Sequence, residues 1–273
     1  MRRIVRSEAV CLRARDYHES SKLVTFFTIE RGKVDCLAKG ARRLRSKFGA
    51  ALDLFARSRI IYYWHETRTL LTLSDADLVH SFSGLALSPE RFLAAEQMAE
   101  FVLRVIQPHD PNPQLYQLLL NYLSTIESVS PDPGHPQTKP FPALVCSFLL
   151  KAASFLGFRP ELRRCLICRR PLAGPHASYF DAARGGIICQ HCAGESPSGV
   201  RLDSGSVDTL AFLLYTPVAD ISSLLQSPGP QALVPAPQSP AALLALVVSF
   251  LGHHFDHLAL NSFRWHDGLE RTP

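Results

Sequence analysis

Charge is scarce in this chain: Asp, Glu, Lys and Arg make up 19% of its 273 residues, while hydrophobic side chains make up 47%. That balance excludes disorder along the whole length and allows one large or two ordinary domains with a buried core. Long apolar runs are missing too. The longest near the end, residues 241–251, is too short to cross a bilayer and reads as a core helix. Arg2, Arg3 and Arg6 have no apolar stretch behind them, so no secretory signal is visible and the expectation is a soluble, cytoplasmic protein. Neither a G-x-x-x-x-G-K-[ST] phosphate loop nor a G-x-S-x-G elbow occurs. Asp75 and Asp77 read as part of a turn beside a strand end rather than as a catalytic pair. The expectation is a protein that is not an enzyme.

What is present begins with seven cysteines. An odd number without an export signal argues against a disulfide framework. Cys11, Cys36 and Cys146 are scattered among apolar neighbours and read as small core residues. The other four form two tight pairs, Cys165-Leu166-Ile167-Cys168 and Cys189-Gln190-His191-Cys192, with twenty residues between them. Each C-x-x-C turn presents two thiolates to one side of a metal, so two such turns close a tetrahedral zinc site. Four protein ligands leave no open position for water, which makes the expected zinc structural. Residues 178–181 and 185–188 fit the short strands of a zinc ribbon. A redox dithiol is the competing reading, though two linked pairs exceed what one redox centre needs. His176 and His191 are possible substitute ligands with poorer spacing. A zinc enzyme would need an open metal position.

The net charge of +5 is unevenly placed. Residues 1–50 hold thirteen Lys and Arg against five Asp and Glu, a balance of +8, and the remainder carries −3. Five cations, Lys39, Arg42, Arg43, Arg45 and Lys47, fall within nine residues on a stretch bounded by Gly40 and Gly49. Such a loop suits phosphate oxygens, which arginine forks bind well. A solvated cationic face without a ligand explains the charge equally. Tyr17, Phe48, Tyr62, Tyr63 and Trp64 are the aromatics that might stack bases, each more easily read as core.

Around this loop the pattern is that of strands. Residues 24–29 are β-branched and aromatic, Gly32 supplies a tight turn, and 34–38 resume. Strands over 5–14, 55–64 and 69–74 complete five, the number of an oligonucleotide-binding (OB) barrel. From Pro89 the spacing becomes helical, with Ser88 as N-cap. Further helices are expected over 115–126, 143–155, 207–215 and 241–263. Residues 131–142 and 227–240 hold five prolines each and read as a loop and a linker.

Phe26-Phe27-Thr28-Ile29-Glu30-Arg31-Gly32-Lys33-Val34, followed by Leu37-Ala38-Lys39-Gly40-Ala41-Arg42-Arg43 and Ser46, closely resembles the N-terminal barrel of the bacterial RecO family. The resemblance continues through Phe148-Leu149-Leu150-Lys151 and Leu156-Gly157-Phe158-Arg159-Pro160-Glu161-Leu162 to Cys165 and Cys168, and ends near Ser262-Phe263-Arg264. It implies an α+β protein: an OB-type barrel over 1–80, a mainly α-helical domain over 81–161 and 201–266, an inserted zinc ribbon over 162–200, and a tail over 267–273. It also implies a nucleoid-associated recombination mediator in DNA repair. Such a protein binds single- and double-stranded DNA and anneals complementary strands. It works with RecR and the C-terminal tail of single-strand-binding protein, and so indirectly with RecA. DNA contacts then fall to Arg31, Lys33, Lys39, Arg42, Arg43, Arg45 and Lys47, and one structural zinc to Cys165, Cys168, Cys189 and Cys192. The alternative is a zinc-stabilised interaction scaffold without direct DNA binding. Arg91, Arg104 and Arg264 are weaker candidates for rimming a partner groove, since solvated helix charge explains each.

Overall fold

Alternation of apolar and polar side chains builds the N-terminal sheet. Val24 and Phe26, Val34 and Cys36, Ile60 and Tyr62, and Leu71 and Leu73 recur two apart and meet in one buried cluster with Ala9 and Cys11. The structure is a computed structural model that describes residues 3–129, 140–172, 178–194, 199–226, 239–256, 258 and 260–264. Two compact units divide the chain, Met1–Leu123 and Ser124–Pro273.

In the first unit, β1 (Arg3–Tyr17), β2 (Ser21–Thr28), β3 (Gly32–Ala38), β4 (Arg57–Trp64) and β5 (Leu70–His80) close into a barrel in the order β1-β2-β3-β5-β4. All neighbours are antiparallel except β3 and β5, which run parallel. This is the five-stranded OB-type architecture expected. Two strands are longer than their apolar stretches indicate. β1 begins at Arg3 and ends at Tyr17, because backbone pairing on both flanks holds polar residues extended. β5 runs on to His80, so Asp75 and Asp77 are strand residues and not a turn. Ala76 between them points into the core.

Two helices follow, α1 (Pro89–Val105) and α2 (Pro113–Ser128). Ser88 caps α1 by accepting a hydrogen bond from the Arg91 backbone N–H at 3.2 Å, with Pro89 at the first helical position. Tyr116 meets Phe27 edge-on at 5.5 Å, so an outward-facing barrel residue is sealed from water. Lys33 donates to the carbonyl of Leu103 at 3.0 Å, a helix C-terminal oxygen that a cation satisfies well.

The second unit is organised around α3 (Pro140–Phe155), which is buried on nearly every side, as its composition requires. It packs against α5 (Ser204–Tyr215), α6 (Val218–Gln226) and α7 (Pro240–His254). Ser147 donates to the Leu213 carbonyl and Lys151 to that of Thr216, each at 2.5 Å. Burial lowers the Lys151 ammonium to about 8. Pro140 and Pro142, expected in a loop, lie in the first turn of α3, where missing N–H groups leave no helical bond unmade. Residues 130–139, most of that loop, lie outside the described residues, as do 227–238 of the linker and the tail 267–273.

α6 is a helix the sequence reading did not anticipate. α7, capped by Ser239, ends at His254 rather than continuing to 263, and Asn261–Arg264 is a separate 3-10 turn. The break follows from packing: His254 Nε2 lies 3.1 Å from the Ala182 carbonyl, and Phe255 leaves the helix to meet Phe158 at 4.8 Å. Cys11, Cys36 and Cys146 are fully buried, as expected of core thiols. Burial pushes Cys11 and Cys146 up to about 12 and Cys36 higher still. Among the described residues no helix is long and apolar enough to cross a membrane.

Gly32 carries the β2–β3 turn with a φ of +61°, and a Cβ there would fall 2.0 Å from the Asp110 carbonyl oxygen. Gly32→Ala therefore meets both left-handed strain and a backbone clash, and is expected to cost about 2 kcal/mol or more. Urea unfolding measures this; an unshifted midpoint would contradict the close approach of residues 108–110 to the turn.

Candidate nucleic-acid interface and metal centre

The basic stretch leaves β3 at Ala38 and forms an arch of successive turns. Arg43 N donates to the Gly40 carbonyl at 3.1 Å and Ser46 N to that of Arg43 at 2.9 Å. Both ends are tied down. At one end Arg42 lies 3.1 Å from the Asp16 carboxylate, donates to the His18 carbonyl at 2.9 Å, and bonds Ser20 through its backbone. At the other, Lys47 donates to the Ser74 carbonyl and sits 4.0 Å from Asp75. Phe48 anchors this end in the barrel core. The segment read as a loop is thus an arch tied down at both ends.

Two of its five cations hold its shape, and the other three project outward. Lys39, Arg43 and Arg45 are exposed and make no ion pair among the described residues, and Leu44 between the arginines is fully exposed. Arg31 and Lys33 belong elsewhere. They flank the opposite end of β3, six residue steps or roughly 20 Å from Lys39. Lys33 is half-buried against α1, and its burial lowers the ammonium pKa. The Arg31 guanidinium covers the Trp64 ring at 4.5 Å.

Arg42 ties the arch to the β1–β2 hairpin, whose other face carries residues that the sequence reading passed over. Arg13, Arg15 and Tyr17 are exposed, alternate with the inward-packed Ala14, and so share the outer face of β1. Their two-residue spacing was a usable signal. A β-bulge between Cys11 and Arg13 turns this face away from the core. Of the five aromatics, Phe48 and Tyr62 are core, Tyr63 and Trp64 are half-buried, and Tyr17 is exposed beside His18 at 4.1 Å. Among the helical arginines, Arg91 is buried and donates to the Gly84 carbonyl, and Arg104 pairs with Glu100 at 3.8 Å. The Arg264 side chain lies outside the described residues.

The cysteine pairs converge in the second unit. β6 (Ser178–Asp181) pairs with β7 (Gly186–Cys189) and with β8 (Val200–Leu202), and a single turn, α4 (Gln190–Ala193), follows β7. Residues 163–172 form a hairpin, with Leu172 N donating to the Arg163 carbonyl and Cys165 N to that of Arg170. Leu166 N donates to the Ile187 carbonyl at 2.8 Å, docking the hairpin on β7. The sulfurs of Cys165, Cys168, Cys189 and Cys192 then lie within 4.8 Å of one another. Four sulfurs about 2.3 Å from a central ion stand ~3.8 Å apart, and Cys168 and Cys189 stand 3.9 Å apart. The set can therefore hold one metal ion. Burial pushes the Cys165 thiol up, but backbone N–H groups of Cys189, Cys168 and Ile167 outweigh it and hold the thiol down to about 6. His191 is not one of the four ligands, and His176 lies outside the described residues.

Two protein-family models match the chain, "Recombination protein O N terminal" over residues 1–82 and "Recombination protein O C terminal" over residues 86–262. The DNA repair protein RecO of Anaeromyxobacter sp. (strain K) is 34% identical over 253 residues, 92% of this chain and 91% of that protein. Those of Pelotomaculum thermopropionicum and Symbiobacterium thermophilum are 32% identical over 222 residues and 33% over 208. The first covers 81% of both chains, and the second covers 76% of this chain and 78% of its own.

The thiolate cage generates a direct prediction. Metal ligation is folding energy for a module this small, so Cys168→Ser or chelation is expected to lower the thermal midpoint by at least ~5 °C. Amide exchange over 162–200 should accelerate in parallel. Calorimetry with metal analysis checks this, and an unchanged midpoint after complete metal removal contradicts it.

Proposed function

The chain belongs to the RecO family of DNA repair proteins, and on that premise we propose that it is a DNA-binding recombination mediator. It binds single- and double-stranded DNA and anneals complementary strands. It helps to load RecA together with RecR and the C-terminal tail of single-strand-binding protein, and it works at the nucleoid. The observation that carries this reading is the arch. Among the described residues Lys39, Arg43 and Arg45 make no ion pair and are exposed on an arch tied to the β1–β2 hairpin of an OB-type barrel, whose β1 also exposes Arg13, Arg15 and Tyr17. Free guanidinium groups form forked hydrogen bonds to phosphate oxygens, and the exposed Tyr17 ring offers a base a stacking partner.

Annealing needs no nucleotide hydrolysis. It requires that two polyanions approach, and neutralising phosphates on each lowers their repulsion. Arg42 and Lys47 serve by shaping the arch, and Arg31 and Lys33 at the far end of β3 extend the cationic track for a longer strand. Barrel residues 1–80 act as the DNA-binding domain, and the helical part, 81–161 and 201–266, receives protein partners. The metal is zinc: four thiolates suit a borderline-soft ion in tetrahedral geometry, and a site closed by four protein ligands is structural. It holds the ribbon, 162–200, in shape and takes part in no reaction.

Arg43→Ala/Arg45→Ala tests the reading cleanly, because neither side chain supports the fold. If each contacts one phosphate, the log–log salt slope of single-strand binding should flatten by about 1.4. Circular dichroism and the thermal midpoint should stay unchanged. Fluorescence anisotropy at several salt concentrations measures the slope. Unaltered affinity and slope would sink the assignment of the arch and favour an interaction scaffold.

A further inference from the structure

Residues 51–273 carry a net negative balance, yet five arginines crowd into twelve residues at the metal ribbon: Arg159, Arg163, Arg164, Arg169 and Arg170. All five are exposed, and none makes an ion pair among the described residues. The one carboxylate among them does not neutralise them. Glu161 Oε1 accepts the backbone N–H groups of Arg163 and Arg164 at 2.9 and 3.1 Å and so serves to shape the turn. From these features we infer that the metal ribbon carries a second phosphate-binding surface, which grips a single nucleic-acid strand independently of the arch. This rests on the DNA-binding reading above and deepens it: each unit holds its own strand.

Three observations point the same way. The hairpin of residues 163–172 is closed by the Arg164–Pro171 bridge and by backbone bonds from Leu172 N to the Arg163 carbonyl and from Cys165 N to that of Arg170, and its Cys165 and Cys168 sit in the four-sulfur cluster. Its backbone thus holds four of these arginines close together, which lowers the ordering cost of binding. Next, Arg169 has a φ of +61°, a left-handed conformation that glycine adopts freely and arginine does not. An arginine at a position where glycine would relax the turn after Cys168 points to a use for its charge. Third, the Arg163 and Arg159 guanidinium groups lie 3.9 and 4.9 Å from the centroid of the Tyr215 ring. Stacking fixes each planar group and leaves its N–H edge free for a phosphate. Forked donors against an aromatic plane suit a nucleotide chain better than a carboxylate-rich peptide, which has no bases to stack.

Two surfaces, each holding one strand, raise the local concentration of either strand toward the other. The ribbon is then a working part of strand annealing and the metal its scaffold.

Stoichiometric titration of the full-length protein with a short labelled oligonucleotide at low salt tests the inference. The unmodified protein is expected to bind two strands, Arg164→Ala/Arg170→Ala one, Arg43→Ala/Arg45→Ala one, and the combined variant none. Annealing of complementary strands by the ribbon variant should slow about tenfold while one metal ion per chain is retained. Arg169→Gly is the second arm: it should weaken the ribbon site while leaving the thermal midpoint equal or higher. Two strands bound by the ribbon variants, with annealing intact, would overturn the proposal. So would metal loss in them without loss of a strand, since the arginines would then balance the charge of the thiolate cage. Equal affinity for a polyglutamate peptide and an oligonucleotide of the same charge would also overturn it. If the arch variant instead binds two strands and the ribbon variant one, the arch assignment fails and this one stands.

Discussion

Closure of the barrel depends on β1 pairing with two partners in succession. Its first half, Arg3 to Val10, lies against β4, and from Ala9 onward it lies against β2. The two pairings overlap only at Ala9 and Val10, so the strand must bend there, and the bulge between Cys11 and Arg13 supplies the bend. Around that point, Cys11 N donates to the Ala56 carbonyl and Phe55 N to the Cys11 carbonyl, which fixes where β4 begins. Beyond the bend Arg13, Arg15 and Tyr17 face outward while Ala14 still packs on the core. Arg42 reaches this projecting hairpin through Asp16 and His18, so the position of the basic arch follows from the geometry of one strand.

Much of this was legible because local chemistry fixed it. Ser88-Pro89 announces a helix start whatever surrounds it, Gly32 a turn that requires positive φ, and C-x-x-C pairs a thiolate site. What was not legible depended on partners distant in sequence. Arg13 and Arg15 share an exposed face only because of where β1 bulges against β2. Lys33 lies in the same turn as Arg31, yet its fate is set by a carbonyl seventy residues away, at Leu103. β5 outlasts its apolar alternation since pairing with β4 continues to His80, and pairing carries no single-strand sequence mark. α7 stops at His254 for a similar reason: Phe158 and the Ala182 carbonyl compete for its last residues. The arginines of the ribbon were hidden by averaging, for the charge of the last two hundred residues is negative while its densest cluster is positive.

The arch and the ribbon present free cations by different means. In the arch, Asp16 and the Ser74 carbonyl consume Arg42 and Lys47 so that Lys39, Arg43 and Arg45 stay unpaired. Each exposed ion pair is worth little alone, but two pairs, the His18 and Ser20 carbonyls at one end, that of Ser74 at the other and a buried Phe48 together restrict ten residues of chain. In the ribbon no carboxylate is spent on a guanidinium side chain among the five. Backbone bonds and thiolates hold the hairpin instead, and Tyr215 orients two of the arginines.

That difference fits a four-sulfur cluster able to hold a metal in the second unit, where the sheet is small. The barrel closes on itself and buries fifteen residues in a single cluster. By contrast, β6, β7 and β8 span only four, four and three residues. Phe180, Ile187, Ile188 and Leu202 are all the apolar weight that these three strands bury, and Phe180 must lean on Phe250 of α7 at 6.0 Å. A sheet this small cannot offset the entropy of ordering two hairpins by burial alone. Four thiolates on one ion would supply the missing free energy at a point. They would do so without covering the hairpin surface, which leaves its arginines exposed to solvent and to whatever polyanion approaches them.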